Sequence, residues 1–171
     1  MKVAALALMG FVVSAQVIVG QQPSTSIDVP EGAHSVLQAR GEGVQVYSCN
    51  AAPSGQKWTL KGPDAKLLDS SGQVIGTHFA GPTWKLNDGG QVQGEAIGNK
   101  ASPEAGAVPW LLLRAKPGTG TGSLAGVGYI RRTETHGGAA PGTGCDAASD
   151  AGKTVQIPYS ATYTFYEAKK E

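Results

Sequence analysis

The segment that contains His78 and Trp84 carries the side chains best suited to chemistry. On a strand, His78 shares a face with Val74 and Gly76, and Gly81-Pro82 bends the chain before Trp84. The imidazole can hydrogen-bond or transfer protons, and the indole can stack on a ring. Two structures fit: a pocket lined by both rings, or a buried histidine bonded to a backbone carbonyl with Trp84 in the core.

Catalysis at this segment would require His78 to act as a general acid or base beside a carboxylate. Asp69, Asp88 and Glu95 are the candidates for that carboxylate. Nothing in the sequence selects one of the three.

Ligand binding by stacking is the alternative, because sugar rings and other flat groups pack on exposed indoles. Trp58 and Trp84 are the candidates, while Trp110 precedes Leu111, Leu112 and Leu113, neighbours that favour the core.

Arg131 is a further candidate for ligand binding. It shares a strand face with Val127 and Tyr129, whereas Arg132 points the other way. Arg131 either binds a carboxylate ligand or pairs with an acidic side chain such as Glu134.

Nucleotide, metal and nucleophile motifs do not fit the chain. Gly120 to Ala125 matches GxGxxA, but the following Gly126 to Tyr129 alternates like a strand, where that fingerprint requires a helix. The sequence lacks GxSxG, HExxH and a Walker loop. The three histidines, His34, His78 and His136, are far apart. We therefore expect no metal site and no cofactor.

The two cysteines, Cys49 and Cys145, are about a hundred residues apart. An oxidising compartment would pair them, and the rival interpretations, a metal pair or a reactive thiol, lack a partner motif such as CxxC. We predict a disulfide.

The start of the chain has the pattern of an export signal. Lys2 supplies the positive charge, and Val3 to Val13 is an apolar run too short to span a bilayer of roughly 30 Å. We predict a signal peptide at residues 1–20, a polar arm at 21–28 and one β domain at 29–168. The mature protein would be secreted or periplasmic, without a stable membrane anchor.

Composition favours strands and excludes one class of partner. The chain has 25 glycines among 171 residues, and 14 basic against 13 acidic side chains give a net charge of +1. So much glycine, with valine, threonine and tyrosine, opposes a helical bundle. Because the basic residues form no stripe, we expect no nucleic-acid partner.

Strand patterns recur along the whole domain. Tyr159, Ala161, Tyr163 and Phe165 fall on one face, and shorter alternations include Val44 and Val46, Trp58 and Leu60, and Ala65 to Leu68. Asn87 to Gly90 and Asp69 to Gly72 have the chemistry of hairpin turns. These patterns predict an all-β, single-domain antiparallel sandwich or barrel of about nine or ten short strands.

Several blocks carry a resemblance to a known family: Gly43 to Cys49, His78 to Trp84, Val108 to Leu113, Tyr129 to Arg132, Gly137 to Pro141, and Cys145. In this order they resemble the signature blocks of a family of secreted bacterial and fungal proteins classed as domain of unknown function 3455. The resemblance covers about Val29 to Tyr166 and supports the disulfide, because both cysteines lie in blocks. It implies no activity, ligand or catalytic residue.

The sequence therefore predicts an exported, disulfide-containing β domain that acts as a binding or structural module for a small ligand, a glycan or an envelope component. The alternative is an enzyme that uses His78 with a nearby carboxylate.

Overall fold

Eight β-strands run through the part of the chain that the computed structural model describes, residues 26–169. They are β1 (His34–Ala52), β2 (Gly55–Leu68), β3 (Val74–Phe79), β4 (Thr83–Leu86), β5 (Gln91–Lys100), β6 (Trp110–Ala115), β7 (Val127–Gly137) and β8 (Thr154–Glu167). Short 3₁₀ turns at Gly122–Leu124 and Ala148–Asp150 precede β7 and β8. The all-β prediction is confirmed.

The sheet closes into a barrel, because each strand pairs antiparallel with the next and β8 pairs with β1. The described residues form eight strands where about nine or ten were predicted. The difference includes β2, where Trp58 to Leu60 and Ala65 to Leu68 lie in one strand although Gly62-Pro63 interrupts their alternation. A register shift between Val46 and Tyr47 on β1 accommodates the irregularity.

Both predicted hairpin turns are present. Asn87 to Gly90 joins β4 to β5, with Gly89 at a φ of 90° and the Asp88 carboxylate accepting a hydrogen bond from the Gly90 N–H. Asp69 accepts in the same way from the N–H of Ser71 and joins β2 to β3. In each turn an aspartate accepts a hydrogen bond from the backbone N–H two residues later, and a glycine adopts a positive φ, Gly72 in one turn and Gly89 in the other.

The barrel interior is built on the alternation of β8. Tyr159, Ala161, Tyr163 and Phe165 are all buried. Gly41 on β1 makes room for the phenol ring, since a Cβ there would lie 2.6 Å from Cε2 of Tyr163. The predicted inward face of this strand is confirmed.

Two strands place their side chains differently from the simple pattern. On β1, Gln45 is buried and Val44 is only half-buried, so the polar residue and not the valine faces inward. On β7, a register shift between Val127 and Tyr129 leaves Val127 buried but Tyr129 half-buried. The expectation that Val127 and Tyr129 share a face is therefore wrong, because a bulge adds one residue to the alternation.

The two ends of the barrel differ. In an antiparallel meander, alternate connections lie at the same end, so the β2–β3, β4–β5 and β6–β7 connections share one end. The other end carries the β1–β2, β3–β4, β5–β6 and β7–β8 connections. There a disulfide joins Cys49 on β1 to Cys145 in the β7–β8 connection, with a Cα–Cα distance of 5.5 Å. The predicted disulfide is confirmed.

The predicted signal peptide, residues 1–20, and most of the predicted arm lie outside the described residues. Within residues 26–169 no helix has the length and hydrophobicity of a membrane span.

Candidate functional site

A cavity of about 430 Å³ enters the barrel at the end that carries the disulfide. Its lining comes from seven strands and from the connections at that end. The lining residues are Gln45, Tyr47, Leu60, Lys61, Gly62, Pro63, His78, Gly81, Pro82, Trp84, Val108, Pro109, Leu111, Leu113, Arg132 and Tyr163. A concave, mainly apolar site with a few polar side chains has the general form of a small-molecule pocket.

His78 and Trp84 lie on paired strands and stack on each other within this lining. Register places them opposite each other on β3 and β4, and their ring planes are 7° apart with centroids 4.5 Å apart. Both side chains are almost fully buried, at 2% and 1% exposure. The ring of Tyr163 meets His78 edge-on at 4.9 Å. These three rings make an aromatic wall for the cavity.

The protonation of His78 follows from one hydrogen bond and from burial. Nδ1 lies 2.8 Å from the carbonyl oxygen of Thr83, which can only accept, so Nδ1 carries the proton. The pKa of His78 is lowered to about 3, chiefly by burial and to a smaller extent by the charge of Arg132, while the bond to Thr83 acts in the opposite direction. The imidazole is neutral near pH 7, and its Nε2 keeps a lone pair that can accept a hydrogen bond.

The tyrosine hydroxyls around the cavity are engaged with the protein. Tyr47 donates to the carbonyl oxygen of Gly138 at 2.6 Å, and the hydroxyls of Tyr159 and Tyr163 lie 3.3 Å apart. Burial raises the pKa of each of the three, and Arg132 opposes the increase in every case. The phenols therefore stay protonated and keep the cavity wall neutral.

Arg132 is the half-buried cation of the cavity. Its Nε and Nη2 donate to the carbonyl oxygen of Pro109 at 3.0 and 2.7 Å, which fixes the guanidinium against the start of β6. The described residues place no carboxylate within 4.0 Å of it. Lys61, which is exposed, adds a second positive charge at the rim.

Two buried polar atoms among these residues have no hydrogen-bond partner in the described structure: Oε1 of Gln45 and Nε1 of Trp84. Gln45 is 1% exposed and Trp84 equally so. A buried polar atom without a partner costs free energy, on the order of 1–3 kcal/mol. Buried polar atoms in native proteins nearly always have a partner, so each exception needs a physical explanation.

The sequence profile of a family described as "Protein of unknown function (DUF3455)" matches residues 30–167. The chain belongs to the DUF3455 family. No curated protein and no solved structure matches it. The matched range includes every residue that lines the cavity of this DUF3455 barrel, from Gln45 to Tyr163.

The remaining predicted ligand-binding residues of the DUF3455 barrel lie away from the cavity. Trp58 is half-buried beside the disulfide connection, where its Nε1 donates to the carbonyl oxygen of Thr143 at 3.0 Å. The guanidinium of Arg131 lies 5.5 Å from the centroid of the Tyr166 ring. Among the predicted candidates, the structure therefore brings together His78 and Trp84 only.

The carboxylates considered as partners for His78 are absent from the cavity lining of the DUF3455 barrel. Asp69 and Asp88 accept hydrogen bonds within their own turns, at the opposite end of the barrel. Glu95 is paired with Arg114 on the surface, with 3.9 Å between Oε2 and Nη2. The histidines are separated too, since His34 faces Glu167 and His136 faces Glu104. Across residues 26–169, no three His, Cys, Asp or Glu side chains are grouped as metal ligands.

Sequence reasoning missed two residues of this DUF3455 site, Gln45 and Arg132. Arg132 was placed on the face opposite Arg131, which the structure shows to be the cavity side, but no role was drawn from that position. The signal that could have identified both was alternation. Gln45 is two residues before Tyr47, and Arg132 is two residues after the buried Ile130, so each continues an inward face.

Proposed function

We propose that this protein is a non-catalytic binding module that takes one small, ring-bearing, largely apolar molecule into the barrel cavity. The observation that carries the proposal is the cavity itself, whose lining includes the stacked pair His78 and Trp84. Eight-stranded barrels have an interior wide enough for one small ligand when side chains leave part of it open. Because His78 and Trp84 are almost fully buried and stacked on each other, a flat group would meet this aromatic wall through ring-edge contacts.

Binding accounts for the site better than catalysis does. A general base is most effective when its pKa lies near the working pH, and the pKa of His78 is about 3. The residues that line the cavity include no carboxylate to orient the imidazole or accept its proton. The stack, the bond to Thr83 and deep burial instead suit a rigid wall.

A small molecule is favoured over a glycan for the same site. Sugar-binding indoles need an exposed flat face, and Trp84 is only 1% exposed. The indole N–H of Trp58 is already bonded to Thr143. The ligand that we propose therefore enters the barrel and does not lie across its surface.

The test is ligand-observed NMR with indole, phenol, benzyl alcohol and benzoate against the purified protein. Leu111 lines the cavity and Arg114, on the same strand, is exposed. We expect at least one ring compound to bind, Leu111→Trp to weaken it at least tenfold, and Arg114→Trp to leave it unchanged. The melting temperatures of both variants are measured to check that they are folded. Failure of all four compounds to bind, or equal binding by the Leu111→Trp variant, would contradict the proposal.

We propose further that the protein is exported, as a secreted or periplasmic domain. The disulfide supports this location, because such bonds persist in oxidising compartments. The apolar segment Val3 to Val13 behind Lys2 supports it independently. Intact-mass measurement of the protein recovered outside the cytoplasm is expected to show the loss of about the first 20 residues. A product found only in the cytoplasm, with its N-terminus intact, would overturn this proposal.

A further inference from the structure

The charge inside the cavity has one sign. Its lining contains the cations Lys61 and Arg132 and, in the described residues, no aspartate or glutamate. His78 is neutral because burial lowers its pKa to about 3, and the phenol of Tyr163 is neutral because burial raises its pKa. The protein as a whole is nearly neutral, at +1, so this local excess of positive charge is a property of the site.

Arg132 differs from other arginines of the barrel. Arg40 is paired with Glu42 at 3.0 Å, Arg114 faces Glu95, and Arg131 covers the Tyr166 ring. Arg132 has only neutral partners among the described residues, the carbonyl oxygen of Pro109 and the hydroxyl of Tyr163. A guanidinium has five N–H donors, and that carbonyl takes one from Nε and one from Nη2.

The fixed position of Arg132 makes it a prepared anion site. Holding a cation partly out of water without an opposite charge is unfavourable, so an anionic ligand would gain more here than at the surface. The guanidinium also influences the pKa of Tyr47, His78 and Tyr163, which places it among the polar groups of the cavity. Lys61 at the rim would attract an approaching anion.

We infer that the ligand is a small ring-bearing carboxylate, bound with its carboxylate on Arg132 and its ring toward His78 and Trp84. This inference rests on the proposed function and adds the chemical class of the ligand. A carboxylate matches the planar fork of one arginine. The amide of Gln45, buried with its Oε1 unpartnered, is available to a polar substituent on the ring, since its terminal torsion is soft.

The test compares 3-phenylpropionate with its neutral isostere 3-phenylpropanamide by isothermal titration calorimetry. We expect the carboxylate to bind about 30-fold more tightly than the amide, as a charge-assisted pair on a partly desolvated arginine provides. Arg132→Gln is expected to abolish that difference. Arg131→Gln, the neighbouring substitution on the outer face, is expected to preserve it.

A second variant guards against a folding defect, because Arg132 also holds Pro109. Arg132→Lys keeps the charge and loses the fork, so we expect an intermediate preference for the carboxylate at an unchanged melting temperature. Inorganic phosphate, an anion without a ring, is expected to bind at least tenfold more weakly than 3-phenylpropionate.

The outcomes separate this inference from the proposed function. Equal binding of acid and amide, with Leu111→Trp weakening both, would overturn the carboxylate and leave the ring-binding cavity standing. Phosphate binding as tightly as the acid would overturn the ring-bearing class. If neither phenyl compound binds, the carboxylate inference fails, and failure of indole, phenol, benzyl alcohol and benzoate as well would remove the proposed function.

Discussion

The imidazole of His78 lies parallel to the indole of Trp84, with ring centroids 4.5 Å apart. The two residues are direct cross-strand partners on β3 and β4, and the carbonyl of Thr83, next to Trp84, fixes the imidazole through Nδ1. One short hairpin therefore supplies the ring pair, the hydrogen bond that orients it and the Gly81-Pro82 turn that borders the cavity. Histidine serves here as a neutral aromatic ring with one acceptor nitrogen.

Substituting His78 with alanine is expected to destabilise the fold. The change removes a buried ring, its stack on Trp84 and the bond to Thr83, and such losses together cost about 2–4 kcal/mol. For a domain of this size that corresponds to a decrease in melting temperature of roughly 5–12 °C. The neighbouring Phe79 is 40% exposed, so Phe79→Ala is the matched control and should cost much less. If the His78→Ala protein had the same melting temperature as the wild type, the ring would not be part of the core.

The stability of the fold is expected to decrease as the pH falls from about 6.5 toward 5. The pKa of His78 is about 3 in the folded protein, below its unfolded value of about 6.5, so in this window the unfolded chain binds a proton that the folded chain does not. The contribution of neutral His78 to the free energy of unfolding is therefore complete above pH 6.5. It decreases as the pH falls toward the folded pKa, by up to about 1.4 kcal/mol per pH unit. Urea unfolding at pH 7, 6 and 5 measures the free energy of unfolding and gives this slope.

The control for this pH dependence is His78→Gln, which removes the titrating group. Its free energy of unfolding is expected to lose most of the slope between pH 6.5 and 5. The window stops at pH 5 because the carboxyl groups of Asp69, Asp88 and Glu104, whose pKa values are lowered by hydrogen bonds, begin to contribute at lower pH. An unchanged slope in the variant would assign the effect to other groups.

Local patterns in the sequence predict the parts of the fold that depend on local chemistry. The alternation of Tyr159 to Phe165 identifies the inner face of β8, and the Asp-Gly turn at Asp88 identifies a hairpin, because both are decided within a few residues. Barrel closure depends on the pairing of β1 with β8, which are more than a hundred residues apart. Periodicity carries no information about that pairing.

The cavity illustrates the same limit. The segment around His78 leaves two alternatives, a pocket lined by both rings or a buried histidine bonded to a backbone carbonyl with Trp84 in the core. The structure shows the second, since His78 is bonded to the Thr83 carbonyl and Trp84 belongs to the core, and both residues also border the cavity. Arg132 enters the site because a bulge in β7 sets which of two adjacent arginines points inward. Alternation continued from Ile130 points Arg132 inward, whereas alternation continued from Val127 points Arg131 inward, and the sequence does not show where the bulge lies.

Breaking the disulfide is expected to destabilise the protein by about 3–5 kcal/mol in the chain-entropy account. Cys49 and Cys145 are 96 residues apart, so the bond removes much of the freedom of the unfolded chain. Guanidinium unfolding of the oxidised protein, with and without reductant, measures the effect. The Cys49→Ser/Cys145→Ser protein is the control, and its unfolding midpoint should not change when reductant is added. Equal midpoints for the oxidised and reduced wild type would contradict the expectation.

Binding of a ring-bearing carboxylate is expected to be independent of pH between about 5.5 and 8. Arg132 stays charged throughout this range, a carboxylic acid with a pKa near that of glutamate, about 4.3, is ionised, and His78 remains neutral because burial lowers its pKa to about 3. Calorimetric titration of 3-phenylpropionate at pH 5.5, 6.5 and 7.5 should therefore give dissociation constants within about twofold. A tenfold change in the dissociation constant, centred near pH 6.5, would mean that a histidine in the site takes up a proton with the ligand. An acid–base role for His78 requires that behaviour, and a rigid aromatic wall excludes it.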